Sequence, residues 1–578
     1  MKTSYLFLTY LSLLTLCLCL CPSRAATSEA EALMRWKSSL SSSASLKSWS
    51  VNNISNHCRW IGIRCNDGGS VSGIDLSGAG LAGTLHLFHF TALLNLTTFK
   101  LNGNALGGSI PAALGNLTSL TLLDLSNNLF SSAIPPEIGR LTELRYLSFS
   151  SNRMVGEIPY QIGNMRKVRF LDLGFNHFET SDWSRFPTFP FLTHLNLGWN
   201  ELNSEFPHFI TTCLNLTFLD LSVNTFTGQI PKSLFTNLVK LEYLNLTSNS
   251  FQGSLSPNIT NLSKLKELRL ADNLFSGNIL DSVSLIPSLQ ILELIDNLFI
   301  GEIPPSIGLL TNLLTLDLRM NRFNSSIPQE LSLCNKLTYL VLSDNSLSGP
   351  LPPSLSNLGN LSELRLSRNS LTGEILPRFI KSWRKLIYLI IEDNKFSGEL
   401  PPEIGLLTNL KVLSLMNNSF SGSIRLEIGN LINLWELDLS TNNFSDDEFL
   451  NYVEMRLNLK GQDQLITRLL ETFTTIDLSS NRFSGNIPPS IGNLKILKYL
   501  NLSHNSLTGH IPSSLGNLSE LESLDQAALL ARVTAWFEKN IDDENIAEKN
   551  FEDAKRFSRV LRFLPREDIA GGQNGRNE

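Results

Sequence analysis

Seventeen asparagines recur along this chain at near-constant spacing, at 104, 128, 152, 176, 200, 224, 249, 273, 297, 321, 345, 369, 394, 418, 442, 481 and 505. A period near 24 residues implies one structural unit rebuilt and stacked many times, because a unit this short cannot bury its own apolar face. The same frame surrounds each asparagine, as in LTLLDLSNNLFSSAIPPEIGRL (120–141) and LTYLVLSDNSLSGPLPPSLSNL (337–358): leucine at the first, fourth and sixth positions, asparagine at the ninth. The inner leucines alternate as in a short strand, so they enter the coil while the residues between them face solvent. Leucine is therefore structure, and the intervening positions are candidates for function. The turn after the strand leaves backbone groups pointing inward, and a side-chain amide supplies both donor and acceptor to meet them. Stacked coils then give an asparagine ladder with parallel strands about 4.8 Å apart.

The frame is that of a leucine-rich repeat, and the second half of the unit narrows the resemblance. GGSIPAALGNL (107–117), GEIPPSIGLL (301–310) and GNIPPSIGNL (485–494) resemble the plant-specific form GxIPxxLGNL. EALMRWKSSL, then Ser48 and Trp49, then CRWIGIRC (58–65) resemble the cap that precedes such arrays in plant receptor-like kinases and receptor-like proteins. The fold expected is an α/β solenoid, a plant-type leucine-rich repeat superhelix with a parallel β-sheet on its concave face and 3-10 or short helical segments on its convex side. The resemblance implies an extracellular recognition surface for a peptide, a pathogen-derived molecule or a partner receptor, working with a leucine-rich repeat kinase as co-receptor.

Compartment follows from other features. Met1 to about Ala26 carries Lys2, an apolar stretch from Tyr5 to Leu20 and small residues at Ser23, Ala25 and Ala26, the pattern of a secretory signal peptide. Thirteen Asn-x-Ser/Thr sequons follow, at Asn53, Asn95, Asn116, Asn215, Asn245, Asn258, Asn261, Asn324, Asn360, Asn417, Asn443, Asn501 and Asn517, and several are expected to carry glycans. Cys58 and Cys65 lie close enough in sequence to pair within the cap. Cys213 and Cys334 sit five repeats apart and are expected to be buried free thiols.

Composition excludes more than it identifies. With a net charge of −6 among 578 residues, no basic excess points to nucleic acid. After residue 30 no apolar run approaches the roughly 18 residues that cross a bilayer, so no transmembrane span is expected in this chain. The glycine-rich phosphate loop, strand lysine, HRD loop and DFG metal ligand of a kinase do not appear. Neither do paired catalytic carboxylates, a nucleophile elbow or a metal cluster. An enzyme, a metal site and a cofactor are therefore not expected.

The frame breaks twice. Between Asn442 and Asn481 the step grows to 39, and SDDEFLNYVEMRLNLKGQDQLITRLLE fills the excess. With the repeats after it, this segment resembles the island and final repeats of plant receptor-like proteins. The second break falls at LESLD (521–525), where Gln526 and Leu529 stand in place of the expected continuation. From 526 to 578 the composition changes, with Leu530, Val533, Phe537 and Ile541 at roughly helical spacing. The tail is either a helical cap on the last coil or unrelated sequence joined to a truncated receptor, and we favour the second. The expected organisation is a signal peptide (1–26), cap (27–70), repeats (71–445), island (446–471), repeats (472–525) and non-repeat tail (526–578).

Two stretches of solvent-facing frame positions depart from a background of Ser, Thr, Asp and Asn. Phe170, Phe175, His194, Trp199, Phe218 and Tyr243 place aromatic groups on adjacent coils, a composition enriched where proteins bind proteins. Arg269, Glu293, Arg319, Arg365 and Arg368 belong to a charged stretch of alternating sign, suited to a charged peptide or to pairing within the sheet. Arg365 and Arg368 resemble, at a spacing one residue too long, the arginine pair with which some peptide-hormone receptors hold a carboxylate. Sequons at Asn245 and Asn501 fall on the strand face itself. The function expected is a receptor ectodomain for cell-surface perception or immunity, at the outer face of the plasma membrane or in the apoplast. The alternatives are a secreted inhibitor of a microbial wall-degrading enzyme and a soluble decoy receptor.

Overall fold

A computed structural model describes residues 22–278, 280–424, 426–445, 474–487, 489–508 and 511–525. Most of the expected signal peptide (1–21), the island and the tail lie outside the described residues. The chain divides into two compact units, Met1–Leu289 and Gln290–Glu578.

The first unit opens with a helix, Pro22–Ser39, whose Leu33 and Trp36 are fully buried. The Trp36 indole donates to Thr84 O at 2.9 Å, while Trp49 stacks on Trp60 with ring centroids 5.4 Å apart. Cys58 and Cys65 form the expected disulfide. Strand Ile63–Cys65 pairs antiparallel with Val71–Asp75 and so covers the first edge of the repeat sheet, which would otherwise expose unpaired backbone groups. From Val71–Asp75 onward the frame strands run parallel and in register, from Thr98–Lys100 through Tyr146–Ser148, Phe170–Asp172, His194–Asn196, Phe218–Asp220 and Tyr243–Asn245 to Glu267–Arg269.

Each coil is held by its asparagine. Asn152 donates through Nδ2 to Leu125 O, Phe149 O and Ser150 O, at 3.0, 3.0 and 3.3 Å, and its Oδ1 accepts from Phe130 N at 3.0 Å. Asn176 repeats the pattern one coil on and shares Phe149 O as an acceptor. This tight turn forces the residue before each asparagine into the left-handed region, with φ of 55° at Ser151, 56° at Phe175 and 57° at Trp199. Just past the asparagine, short segments such as Ala82–Thr84, Ala105–Gly108 and Leu129–Phe130 form a second parallel ladder, which the sequence frame did not reveal.

The return path is 3-10 helical, as at Ala112–Asn116, Pro136–Arg140 and Tyr160–Asn164. Glycine is required there: a Cβ on Gly139 would lie 2.3 Å from Gln161 O of the next coil. The interior is a column of frame leucines such as Leu144, Leu147, Leu171 and Leu195, with Phe149 and Phe178 beside them. Truncating any one to alanine is expected to cost about 2–5 kcal/mol.

The second unit repeats this architecture from Ile291–Glu293 to Ser523–Asp525. The long insertion leaves its sheet uninterrupted. Glu436–Asp438 pairs directly with Thr475–Asp477, and Asn481 still donates to Leu439 O while accepting from Phe444 N. The last frame strand pairs with Tyr499–Asn501, so LESLD does enter the sheet before the frame is lost. Cys213 and Cys334 are buried free thiols, one in each unit, and burial pushes both thiols up to about 11.

Candidate functional site

The third frame position points to solvent, and on five successive strands of the first unit it carries a ring. Tyr146, Phe170, His194, Phe218 and Tyr243 stack as one continuous ladder, with centroid separations of 4.3, 4.1, 4.0 and 4.2 Å and interplanar angles of 5°, 9°, 13° and 5°. The rings meet face to face, so their edges point outward. All five are half-buried. A second pair, Phe175 and Trp199, stacks at 5.2 Å on the eighth frame position, and these rings are 49% and 51% exposed. Between the two columns the seventh position is Gly174 and Gly198. A Cβ on Gly174 would lie 2.7 Å from Asn196 Nδ2, and one on Gly198 would lie 2.8 Å from Asp220 Oδ1. The surface between the columns is thus low and polar, formed by Asp172, Asn196 and Asp220.

The ladder is electrically quiet. Burial between rings holds His194 down at about 4, so it is a neutral imidazole over the ordinary pH range. Burial, with the neighbouring carboxylates, pushes Tyr146 and Tyr243 up to about 12. Burial also raises Asp172, against hydrogen bonds from Ser150, Gly174, Ser148 and Asn196 that favour its charged form.

The charged positions behave differently. Arg269 meets Glu267 at 3.1 Å on its own strand. In the second unit Arg319 meets Asp317 at 3.5 Å, Arg365 meets Glu363 at 2.5 Å, and Arg368 lies between Asp344 and Asp393 at 3.1 and 3.6 Å. Arg365 also lies 5.5 Å from the Tyr388 ring centroid. Glu293 is half-buried at the fifth position of its strand, and burial pushes Asp317 up to about 6 despite Arg319. The guanidinium groups of this stretch already have carboxylates of the same protein beside them.

Sequence reasoning found Phe170, His194, Phe218 and Tyr243 but missed Tyr146, one coil earlier, which continues the same column at position three of LTELRYLSFSSN. It also missed Tyr339 and Trp435 of the second unit, 45% and 43% exposed on the strand face. Two sequons on that face have engaged amides. Asn245 donates to Asp220 Oδ2 and Tyr243 Oη at 3.1 and 3.3 Å, and Asn501, 8% exposed, donates to Asp477 Oδ2 and Tyr499 Oη at 3.0 and 3.2 Å. Among the described residues His57, Cys58 and Cys65 are drawn together as metal ligands would be, but both sulfurs belong to the disulfide.

A solenoid of this construction, with two aromatic columns on the strand face of its first unit, is a binding module of the leucine-rich repeat class. The leucine rich repeat N-terminal domain matches residues 26–66, and leucine rich repeat models match 471–525 and eight further stretches between 95 and 431. The ectodomain of the Arabidopsis receptor kinase HAESA, solved with an N-terminally extended IDA peptide hormone ligand, is 32% identical over 87% of this chain and 93% of its own, with a TM-score of 0.67. The plant peptide hormone receptor RGFR1, solved with RGF2, is 32% identical over 75% of this chain and 71% of its own, with a TM-score of 0.66.

A probable leucine-rich repeat receptor-like protein kinase of Arabidopsis thaliana is 37% identical over 114 residues, which is 19% of this chain and 10% of that protein. Pollen receptor-like kinase 3 of Arabidopsis thaliana is 36% identical over 110 residues, 19% of this chain and 17% of its own. The matches thus span under a fifth of these full-length relatives. The chain belongs to the plant leucine-rich repeat receptor family, and its repeats form a ligand-binding receptor domain. No helix among the described residues is long and apolar enough to cross a membrane.

Proposed function

We propose that this chain is an extracellular recognition domain that binds a peptide or pathogen-derived ligand along the strand face of its first unit. In this reading it acts with a leucine-rich repeat kinase co-receptor in cell-surface signalling or immunity. The observation that carries the reading is the pair of aromatic columns, Tyr146 to Tyr243 and Phe175 with Trp199, side by side on the strand face of the first unit. Rings half in water on adjacent coils leave apolar area that a partner would cover. Of the residues singled out in the sequence, Phe175, His194, Trp199, Phe218 and Tyr243 line this face. Arg269 adjoins it at the next coil, while Glu293, Arg319, Arg365 and Arg368 serve in this reading as ion-paired surface. Two related ectodomains were solved with peptide hormones, which favours a peptide over a whole microbial enzyme as ligand. The N-terminal apolar segment and the sequons support passage through the secretory pathway.

The test is selection of peptides from a random display library against the full chain, followed by affinity measurement on Trp199→Ala and Tyr243→Ala, with Trp435→Ala as a control in the second unit. The reading expects at least a tenfold loss for the first two and little change for the control. Selected peptides that bind all three variants as tightly as the parent would refute it.

A further inference from the structure

Beside the ring ladder, at the second frame position, stand Arg145 and Arg169. Both are exposed, and neither side chain has a hydrogen-bond or ion-pair partner among the described residues. They are direct neighbours across the sheet: Arg169 N donates to Arg145 O at 2.8 Å, and the residues that follow them, Tyr146 and Phe170, are paired in register. Two like charges one strand apart repel each other, and a sheet ordinarily avoids or neutralises such a pair. Two lysines of this unit show how such charges are neutralised from an adjacent coil. Lys167 meets Glu143 at 2.6 Å and Lys266 meets Glu242 at 2.6 Å, each pair on adjacent coils. The carboxylates of the neighbouring strands are engaged elsewhere: Asp124 Oδ1 accepts from Ser126 N and Oγ, and Asp172 is bound by Gly174 N and serine hydroxyls.

The ring ladder adds to this bias. Its outward edges carry the positive side of the aromatic quadrupole, so they also favour an oxygen anion over a cation. We infer that Arg145 and Arg169 form an anchor for the carboxylate side chain of an acidic peptide, whose neighbouring residues lie along the edges of the ring ladder. The inference rests on the proposed ligand face and names the charge of what binds there. A carboxylate set between two adjacent guanidinium groups accepts charge-assisted hydrogen bonds from both and relieves their repulsion.

The test repeats the display selection on three forms of the full chain: the parent, Arg145→Gln/Arg169→Gln and Arg145→Glu/Arg169→Glu. Both arginines are exposed, and retained folding is checked by circular dichroism. The parent is expected to enrich peptides with Asp or Glu close to an aromatic residue, with affinity that weakens as salt rises. The glutamine variant should bind those peptides about tenfold more weakly while retaining the aromatic preference. The glutamate variant should select Lys or Arg instead. Peptides without acidic enrichment, or acidic peptides insensitive to both double variants, would overturn the anchor and leave the ligand face standing if Trp199→Ala still weakens them. Failure of the parent to select any peptide that Trp199→Ala loses would overturn the face and the anchor together.

Discussion

Removing the Asn152 amide tests how the coils are joined. In Asn152→Ala the buried N–H of Phe130 loses the Oδ1 it donates to and is left without a partner. Phe149 O and Leu125 O each lose one donor but keep another, from Asn176 at 3.0 Å and from Asn128 at 3.2 Å respectively. Ser150 O keeps the Asn127 N–H. One fully orphaned buried donor costs about 1–3 kcal/mol, and the single substitution should fall in that range. Replacing Asn176 as well deprives Phe149 O of both its donors, since among the described residues these two amides alone reach it.

The double variant Asn152→Ala/Asn176→Ala should therefore lose about 1 kcal/mol more than the sum of the singles. Asn152→Ala/Asn224→Ala, which share no carbonyl, should add within about 0.5 kcal/mol. Urea unfolding of the parent, the three single variants and the two doubles gives both cycles, and amide exchange at Phe130 reports the orphaned donor directly. Strict additivity for the adjacent pair, or unchanged exchange at Phe130, would refute the idea that shared carbonyls link successive coils.

Gly139→Ala should destabilise the first unit by about 1–3 kcal/mol, read as a lowered unfolding midpoint, because its Cβ would lie 2.3 Å from Gln161 O. His194 is held near 4 rather than 6.5 by burial, so above pH 6.5 it is neutral in both folded and unfolded chains and contributes no pH dependence. As pH falls from 6.5 toward 4 the unfolded chain takes up the proton first and the fold loses stability, by about 1.4 kcal/mol at pH 5.5 before screening and about 0.7 kcal/mol after it. His194→Phe should remove that loss; an unchanged difference in urea midpoint between pH 7.5 and 5.5 would count against it. Glycopeptide mapping of the folded, secreted chain should find Asn501 unmodified, because a glycan there would break the Asp477 contact and would have to be buried, whereas the exposed Asn95 and Asn261 are open to modification.

Much of the fold is legible in the sequence, for a reason particular to repeats. Leu144, Leu147 and Asn152 have neighbours of the same type one period away, so a local pattern also states the tertiary contact. The cap is less legible: the frame says nothing of Ile63–Cys65 closing the sheet edge antiparallel, or of the second ladder beyond the asparagines. The candidate site was legible as composition only. Phe170, His194, Phe218 and Tyr243 could be assigned to adjacent coils, yet whether their rings stack, splay or fold away depends on rotamers that no spacing specifies. Arg365 and Glu363 show the same limit from the other side, since their frame positions suit equally a ligand contact or the ion pair that the structure contains.

What the sequence determined by itself is the period, the identity of the buried and exposed positions, and the amide that closes each turn, because these follow from alternation and from the hydrogen-bonding capacity of asparagine. The tertiary structure decided which solvent-facing residues act together. It joined Tyr146 to the ring ladder, left Arg145 and Arg169 as unneutralised neighbours, engaged the amides of Asn245 and Asn501, and carried the sheet across a 39-residue step without loss of register. Each of these depends on what stands one coil away at the same height, a distance of about 4.8 Å in space and some two dozen residues in the chain.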